Sequence, residues 1–167
     1  LLQDLHDRLN DVYSFPLAII DNDGKVLVAV AWQDICTQFH RKNPVCEKEC
    51  IKSDQYILDH LHEANPAVSY RCPHGLIDNA LPIIIDGHHL ANFFTGQFFL
   101  EEPDIDYFRK QAKIYDFDEE AYLKAVAKVP VWSREKLDKY LHFMKGFLEV
   151  ITGIGLRSLK EKEYNTR

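Results

Sequence analysis

The sequence predicts an α+β domain: an antiparallel β-sheet flanked by helices, with a long helix at the C-terminal end. Three observations predict it. Two pairs of β-rich runs meet at turns containing glycine, Asn22-Asp23-Gly24 and Asp86-Gly87, as hairpins and therefore antiparallel strands require. Apolar residues recur at helical spacing around those runs. Finally, about thirty residues from Ser133 onward contain no proline and carry apolar stripes.

Element by element, Leu1, Leu5, Leu9 and Val12 give a short amphipathic helix that ends before Phe15-Pro16. Leu17 to Asp21 and Lys25 to Val30 form the first hairpin, with Asp23-Gly24 suited to positive φ. Between Trp32 and Asn65 the pattern turns helical. Pro44 stands near the start of a segment carrying Cys50, Ile51, Asp54, Tyr56, Ile57 and Leu61, and Asn65-Pro66 ends it, a helix of about five turns. Val68 to Arg71 and Leu76 to Phe99 read as strands, the second stretch broken at Asp86-Gly87 into a hairpin, with a bend at Gly96. Two peripheral helices follow, Ile105 to Ile114 and Glu119 to Lys128, the second capped by Asp118.

Ser133 opens the last helix. Leu137, Leu141, Met144, Leu148 and Ile151 form one stripe, and Tyr140, Phe143, Phe147, Val150 and Ile154 a second beside it. One stripe can pack on the sheet. The other has the 3.5-residue average period of a coiled-coil seam, so a homodimer through this helix is expected. Residues 1–132 are therefore read as the domain and residues 133–167 as the helix leading out of it.

The 167 residues, 46% apolar and 28% charged, exclude disordered and low-complexity readings. A chain of this size buries roughly 70% of its unfolded surface and needs no covalent staples. No apolar run approaches the ~20 residues that cross a bilayer, and no basic leader or signal core is present, so a cytoplasmic setting is expected. Leu at the first position and the charged run Lys160-Glu161-Lys162-Glu163 suggest a piece of a longer protein. Against 26 acidic residues, the 20 Lys and Arg form no cluster, so direct nucleic-acid binding by this segment is not expected.

The most specific local signal is the set Cys36, Cys46, Cys50, Cys72 and His74. Cys46 and Cys50 are four apart and share a helical face. Cys72-Pro73-His74 sets two further candidates on a stiff segment. Thiolates of Cys36, Cys46, Cys50 and Cys72 could hold Zn²⁺ or an iron–sulfur cluster. They could equally be packed or pocket-lining thiols, or include a redox-active pair.

Other histidines, His6, His40, His60, His62, His88 and His142, are scattered and read as surface or cap residues. No Gly-x-Ser-x-Gly, phosphate loop or dinucleotide turn is present. Cys72 near His74 is the sole nucleophile–base couple, so a binding role is favoured over an enzyme. Asp78, Asn79 and Gln97 lie in apolar strand context. Each must meet backbone, another side chain or a ligand in a pocket on the sheet.

The order Phe15 to Gly24, Cys36, Cys50-Ile51-Lys52-Ser53-Asp54, Tyr70-Arg71-Cys72-Pro73-His74-Gly75-Leu76, Pro82-Ile83, Gly87 and Gly96-Gln97 resembles the PocR sensory domain over nearly the whole chain. Its most specific pieces are Cys-x-x-Ser-Asp, Tyr-x-Cys-x-x-Gly-Leu, and Gly-Gln after a strand hairpin. The resemblance implies a variant PAS-like fold that binds small hydrocarbon derivatives such as diols. It also implies fusion to output modules, among them histidine kinases, other PAS domains and AraC-type DNA-binding domains. Cys36, Cys50, Cys72, Gly75, Asp78 and Gln97 fall at its motif positions. His88-His89 replaces a simpler polar turn, and Cys46 is an optional extra. The expected ligand site lies between the sheet and the Cys-bearing helix. Gln97, Asp78 and His74 supply hydrogen bonds there, Trp32, Tyr70 and Phe99 form apolar walls, and Cys36 and Cys72 complete the lining.

Overall fold

The computed structural model describes residues 2–13, 16–61, 67–85 and 87–165. The turn residue Asp86, the helix end at Asn65-Pro66, and Leu1 and Phe15 lie outside them, as do the side chains of Leu9, Val12 and the charged run at residues 160–163.

Helix α1 (Leu2–Tyr13) precedes the hairpin of β1 (Leu17–Asp21) and β2 (Val26–Val30). Asp21 closes that hairpin: its carboxylate accepts the N–H groups of Asp23 at 3.0 Å and Lys25 at 2.8 Å, while Gly24 supplies φ +85°. After β2 the chain makes a π-turn (Ile35–Phe39) and a 3₁₀ turn (His40–Lys42) before α2 (Pro44–His60). Asn43 caps α2, its side-chain oxygen accepting the N–H groups of Val45 and Cys46. Pro44 sits at the first helical position, where no N–H is needed.

Strands β3 (Val68–Arg71), β4 (Ile77–Ile85) and β5 (His88–Phe98) complete a five-stranded sheet in the order β2-β1-β5-β4-β3, with every pairing antiparallel. Pro82 lies beyond the β3–β4 pairing, which runs only as far as Ala80, so among the described residues it interrupts no ladder between those two strands. At the other edge, the Gln3 side chain of α1 covers the outward backbone of Ala29, donating to its carbonyl at 3.1 Å and accepting its N–H at 3.3 Å.

The two faces of the sheet are covered differently. One carries Leu17, Ile19, Val28, Val30, Leu81 and Phe93 against α5 (Arg134–Asn165), which contributes Leu137, Tyr140, Met144 and Leu148. Tyr140 thus joins the buried stripe, whereas Phe143, Val150 and Ile154 are exposed. On the opposite face Ile57 of α2 and Leu61 just beyond its end pack against Val68, Ala80 and Phe94.

Helices α3 (Ile105–Ile114) and α4 (Glu119–Lys128), capped by Asp104 and Asp118, are not peripheral. Their apolar faces, with Phe108, Ala112, Tyr122 and Val126, enclose a second core with Ile35, Leu76 and Phe99. Among the described residues no helix is long and apolar enough to cross a membrane.

Candidate ligand cavity

The face of the sheet under α2 is not fully closed. A cavity of about 60 Å³ lies between Ala18, Ile20 and Phe94 of the sheet and Cys50, Ser53 and Asp54 of α2. Those three α2 residues follow i, i+3, i+4 spacing and so share one helical face. The turns after β2 add Trp32, Cys36, His40 and Arg41, and the β3–β4 connection adds Cys72 and His74. That volume equals roughly the liquid share of two waters.

Asp78, Gly96 and Gln97 form the floor. Ile77 pairs with Phe98 but Asp78 pairs with Gly96, so Gln97 is an extra residue in β5, a β-bulge. It takes φ +63°, and its backbone N–H donates to the Asp78 carboxylate. A Cβ on Gly96 would fall 2.9 Å from the Asp78 Cα. The Gly-Gln pair therefore brings the two backbones together and turns a donor onto the acid. The Gln97 side chain does other work: its carbonyl oxygen accepts the N–H of Gln33 at 2.5 Å and ties down the loop bearing Trp32.

The electrostatics are those of a confined acidic pocket. Burial, reinforced by the nearby Asp54 carboxylate, pushes Asp78 up to about 7, against the pull of the Gln97 N–H and Arg41. Arg41 pairs with Asp54 at 2.8 Å and lies 5.3 Å from the Trp32 ring centroid. Burial holds the thiols protonated: Cys50 is pushed up to about 11 and Cys72 to about 12. Cys36 is raised well above its ordinary range by burial, with Asp78 adding to it. A redox pair needs the opposite direction.

Of the expected site residues, Trp32, Cys36, Cys72, His74, Asp78 and Gln97 line this cavity, and Tyr70 and Phe99 do not. Tyr70 is on the edge strand β3 and faces an outer cleft. Phe99 follows the bulge, which inverts the in–out alternation of β5, and it enters the core shared with α3 and α4. Cys46 is fully buried but outside the lining. Among the described residues no group of three or more His, Cys, Asp or Glu is disposed to hold a metal ion.

His40 is a correction. It is buried, not a surface residue, and stacks on His74 with ring centroids 4.4 Å apart. Its Nε2 lies 2.8 Å from the Tyr122 hydroxyl, and burial, with His74 adding, lowers it to about 3. Both ring nitrogens of His74 already face acceptors, Gln111 Oε1 at 3.3 Å and the Cys46 carbonyl at 3.4 Å. His74 thus offers the cavity its ring and not a free donor. Arg41, Ser53 and Asp54 were absent from the expected set. The Cys-x-x-Ser-Asp spacing on one helical face was the signal for the last two.

Against curated proteins the chain finds no match. The family model described as the sensory domain found in PocR matches residues 1–156, which reaches well into α5. That match spans the bulge, the cavity and most of the helix beneath the sheet, and on its extent the chain belongs to the PocR sensory-domain family.

Proposed function

We propose that this chain is the sensory module of an intracellular signalling protein, admitting a small hydrocarbon-derived ligand such as a diol to the cavity and passing its occupancy to α5. Membership of a sensory-domain family supports the signalling role. At about 60 Å³ the cavity is well under the roughly 150 Å³ that takes up benzene, so a diol of four to six heavy atoms enters only as α2 or the loop bearing Trp32 gives way. Ile20, Phe94 and protonated thiols suit a short carbon chain. Asp78, close to half-ionised near neutrality, can accept from or donate to a hydroxyl.

The observation that carries the reading is the continuity of β5. Immediately beyond the Gln97 bulge, Phe98 stacks on Trp132 with centroids 4.6 Å apart. Phe99 donates to the Pro130 carbonyl at 2.9 Å and accepts the Trp132 N–H at 2.7 Å. This clasp holds the residues that lead into α5. Cavity and helix lie on opposite faces of the sheet, and the clasp joins them along one strand. A ligand shifts such an equilibrium only by its differential affinity for two states, and Asp78, which faces the Gln97 bulge from β4, is where that difference arises.

Binding rather than catalysis is favoured because Cys72 is held protonated and the His74 nitrogens face other partners. Exposed Phe143, Val150 and Ile154 on α5 suit a second copy of the chain, and the helix then leads to an output domain, a histidine kinase or a transcription regulator. The test is calorimetric titration of the full chain with two- to four-carbon diols. Binding that weakens about tenfold or more in Asp78→Ala supports the reading, as a hydrogen bond to a charged group predicts. No heat with any diol overturns it.

A further inference from the structure

Two buried hydroxyls beside the cavity have no hydrogen-bonding partner in the protein, Ser53 Oγ and Tyr70 Oη. A buried hydroxyl left unpaired bears its full desolvation penalty, and a helical serine has an easy remedy in the carbonyl one turn back, which Ser53 does not take. Both residues border the same outer cleft of about 530 Å³ between α2 and β3. Ser53, only 7% exposed, lines the inner cavity as well, so it is the wall common to the two spaces.

Tyr70 is placed to act with it. It lies directly opposite Asp78 in the β3–β4 pairing, so the two side chains leave the same face of the sheet with Cβ atoms about 5 Å apart. Burial raises the Tyr70 phenol above its usual range, with Asp78 the next contributor, so it stays protonated and able to donate. The Tyr56 ring lies 5.8 Å from it across the cleft.

We propose that Ser53 and Tyr70 form a second polar subsite, which receives the far oxygen of a two-ended ligand held at Asp78, and that the outer cleft is the ligand's way in. This rests on the cavity being a ligand site. It explains how a space as small as the inner cavity can select a functionalised molecule: the carbon chain fills the cavity, and its second oxygen function completes two hydroxyls that the free protein leaves unsatisfied.

The test uses the full chain and its Ser53→Ala and Tyr70→Phe variants, each deleting one hydroxyl and little else. Calorimetry compares propane-1,3-diol, with an oxygen at each end of its chain, with propan-1-ol, and urea unfolding without ligand compares stability. We expect each variant to be as stable as the native chain or more so. Each should also lose about tenfold of the diol preference, with affinity for the mono-alcohol unchanged within about twofold. An intact diol preference overturns the subsite. So does a loss of stability without ligand, because the hydroxyls would then already be satisfied, by ordered water or by protein. If neither alcohol binds the native chain, the reading of Asp78 fails separately, and the unfolding comparison still decides whether the two hydroxyls are orphaned.

Discussion

The carboxylate of Asp78 occupies the space in which a side chain on Gly96 would begin, and the two backbones approach so closely that a Cβ there would meet the Asp78 Cα at 2.9 Å. Neither neighbour can give way, since both belong to paired central strands. Gly96→Ala should destabilise the fold by about 1–3 kcal/mol, the usual cost of overpacking. Urea unfolding checks the loss, and an unchanged midpoint would mean that the strands separate freely.

Asp78 and His40 oppose each other in acid. Asp78 is raised to about 7 from 3.8. Between those values the folded state keeps a proton that the unfolded chain releases, and stability falls as pH rises. His40 is lowered to about 3 from 6.5. Between those values the unfolded chain takes up a proton that the folded state refuses, and stability rises with pH. From about pH 4 to 6.5 the two slopes cancel, each at most ~1.4 kcal/mol per pH unit. Relative to the native chain, Asp78→Asn should therefore gain stability with rising pH over this window, and His40→Gln should lose it. Parallel curves for all three proteins in pH-resolved urea unfolding would refute the assignment.

The thiols should be quiet. With Cys50 raised to about 11, Cys72 and Cys46 to about 12, and Cys36 raised well above its ordinary range by burial, less than about a tenth of the reactivity of a free thiol is expected at pH 7. Titration with a chromogenic disulfide should find slow labelling in the native protein and four fast thiols in guanidinium. Rapid native labelling of one cysteine would mark it as a thiolate.

Gln97 acts as a latch. Gln97→Ala removes the acceptor of the Gln33 N–H and frees the loop that carries Trp32 over the cavity. Affinity for a bound diol should fall at least about tenfold, and amide exchange at Gln33 should accelerate by a similar factor. Weakened binding with unchanged exchange would instead make Gln97 a direct ligand contact.

Much of this was legible beforehand. Gly24, Pro44 and Asp118 mark local conformations that need no tertiary context, and the elements they belong to formed there. The site was half legible. Cys36, Cys72, Asp78 and Gln97 stood out as polar or soft residues in apolar surroundings, and the structure brings them together. Phe99 was misjudged because it lies just past the end of β5, where Phe108 and Tyr122, from helices distant in sequence, take it into the second core. His40 was misjudged because its partner Tyr122 lies 82 residues away. The burial of α3 and α4 likewise depends on a core assembled from distant segments.

The exposed stripe of α5 gives an expectation about assembly. Phe143→Glu with Val150→Glu replaces two exposed apolar side chains and touches none of the buried ones. The native chain should weigh as a dimer by light scattering and the variant as a folded monomer whose melting temperature no longer rises with protein concentration. A native monomer would remove the second copy from the proposal.

The contact of Gln3 with Ala29 has a wider consequence. Strand β2 is the outermost of the sheet, and beside Ala29 it carries exposed Val26 and Leu27. Without the Gln3 amide, an unprotected row of donors and acceptors next to greasy side chains would invite strand addition by neighbouring molecules. The first helix thus guards against fibril-like self-association, and a protein trimmed to begin at β1 would be prone to aggregate however sound its interior.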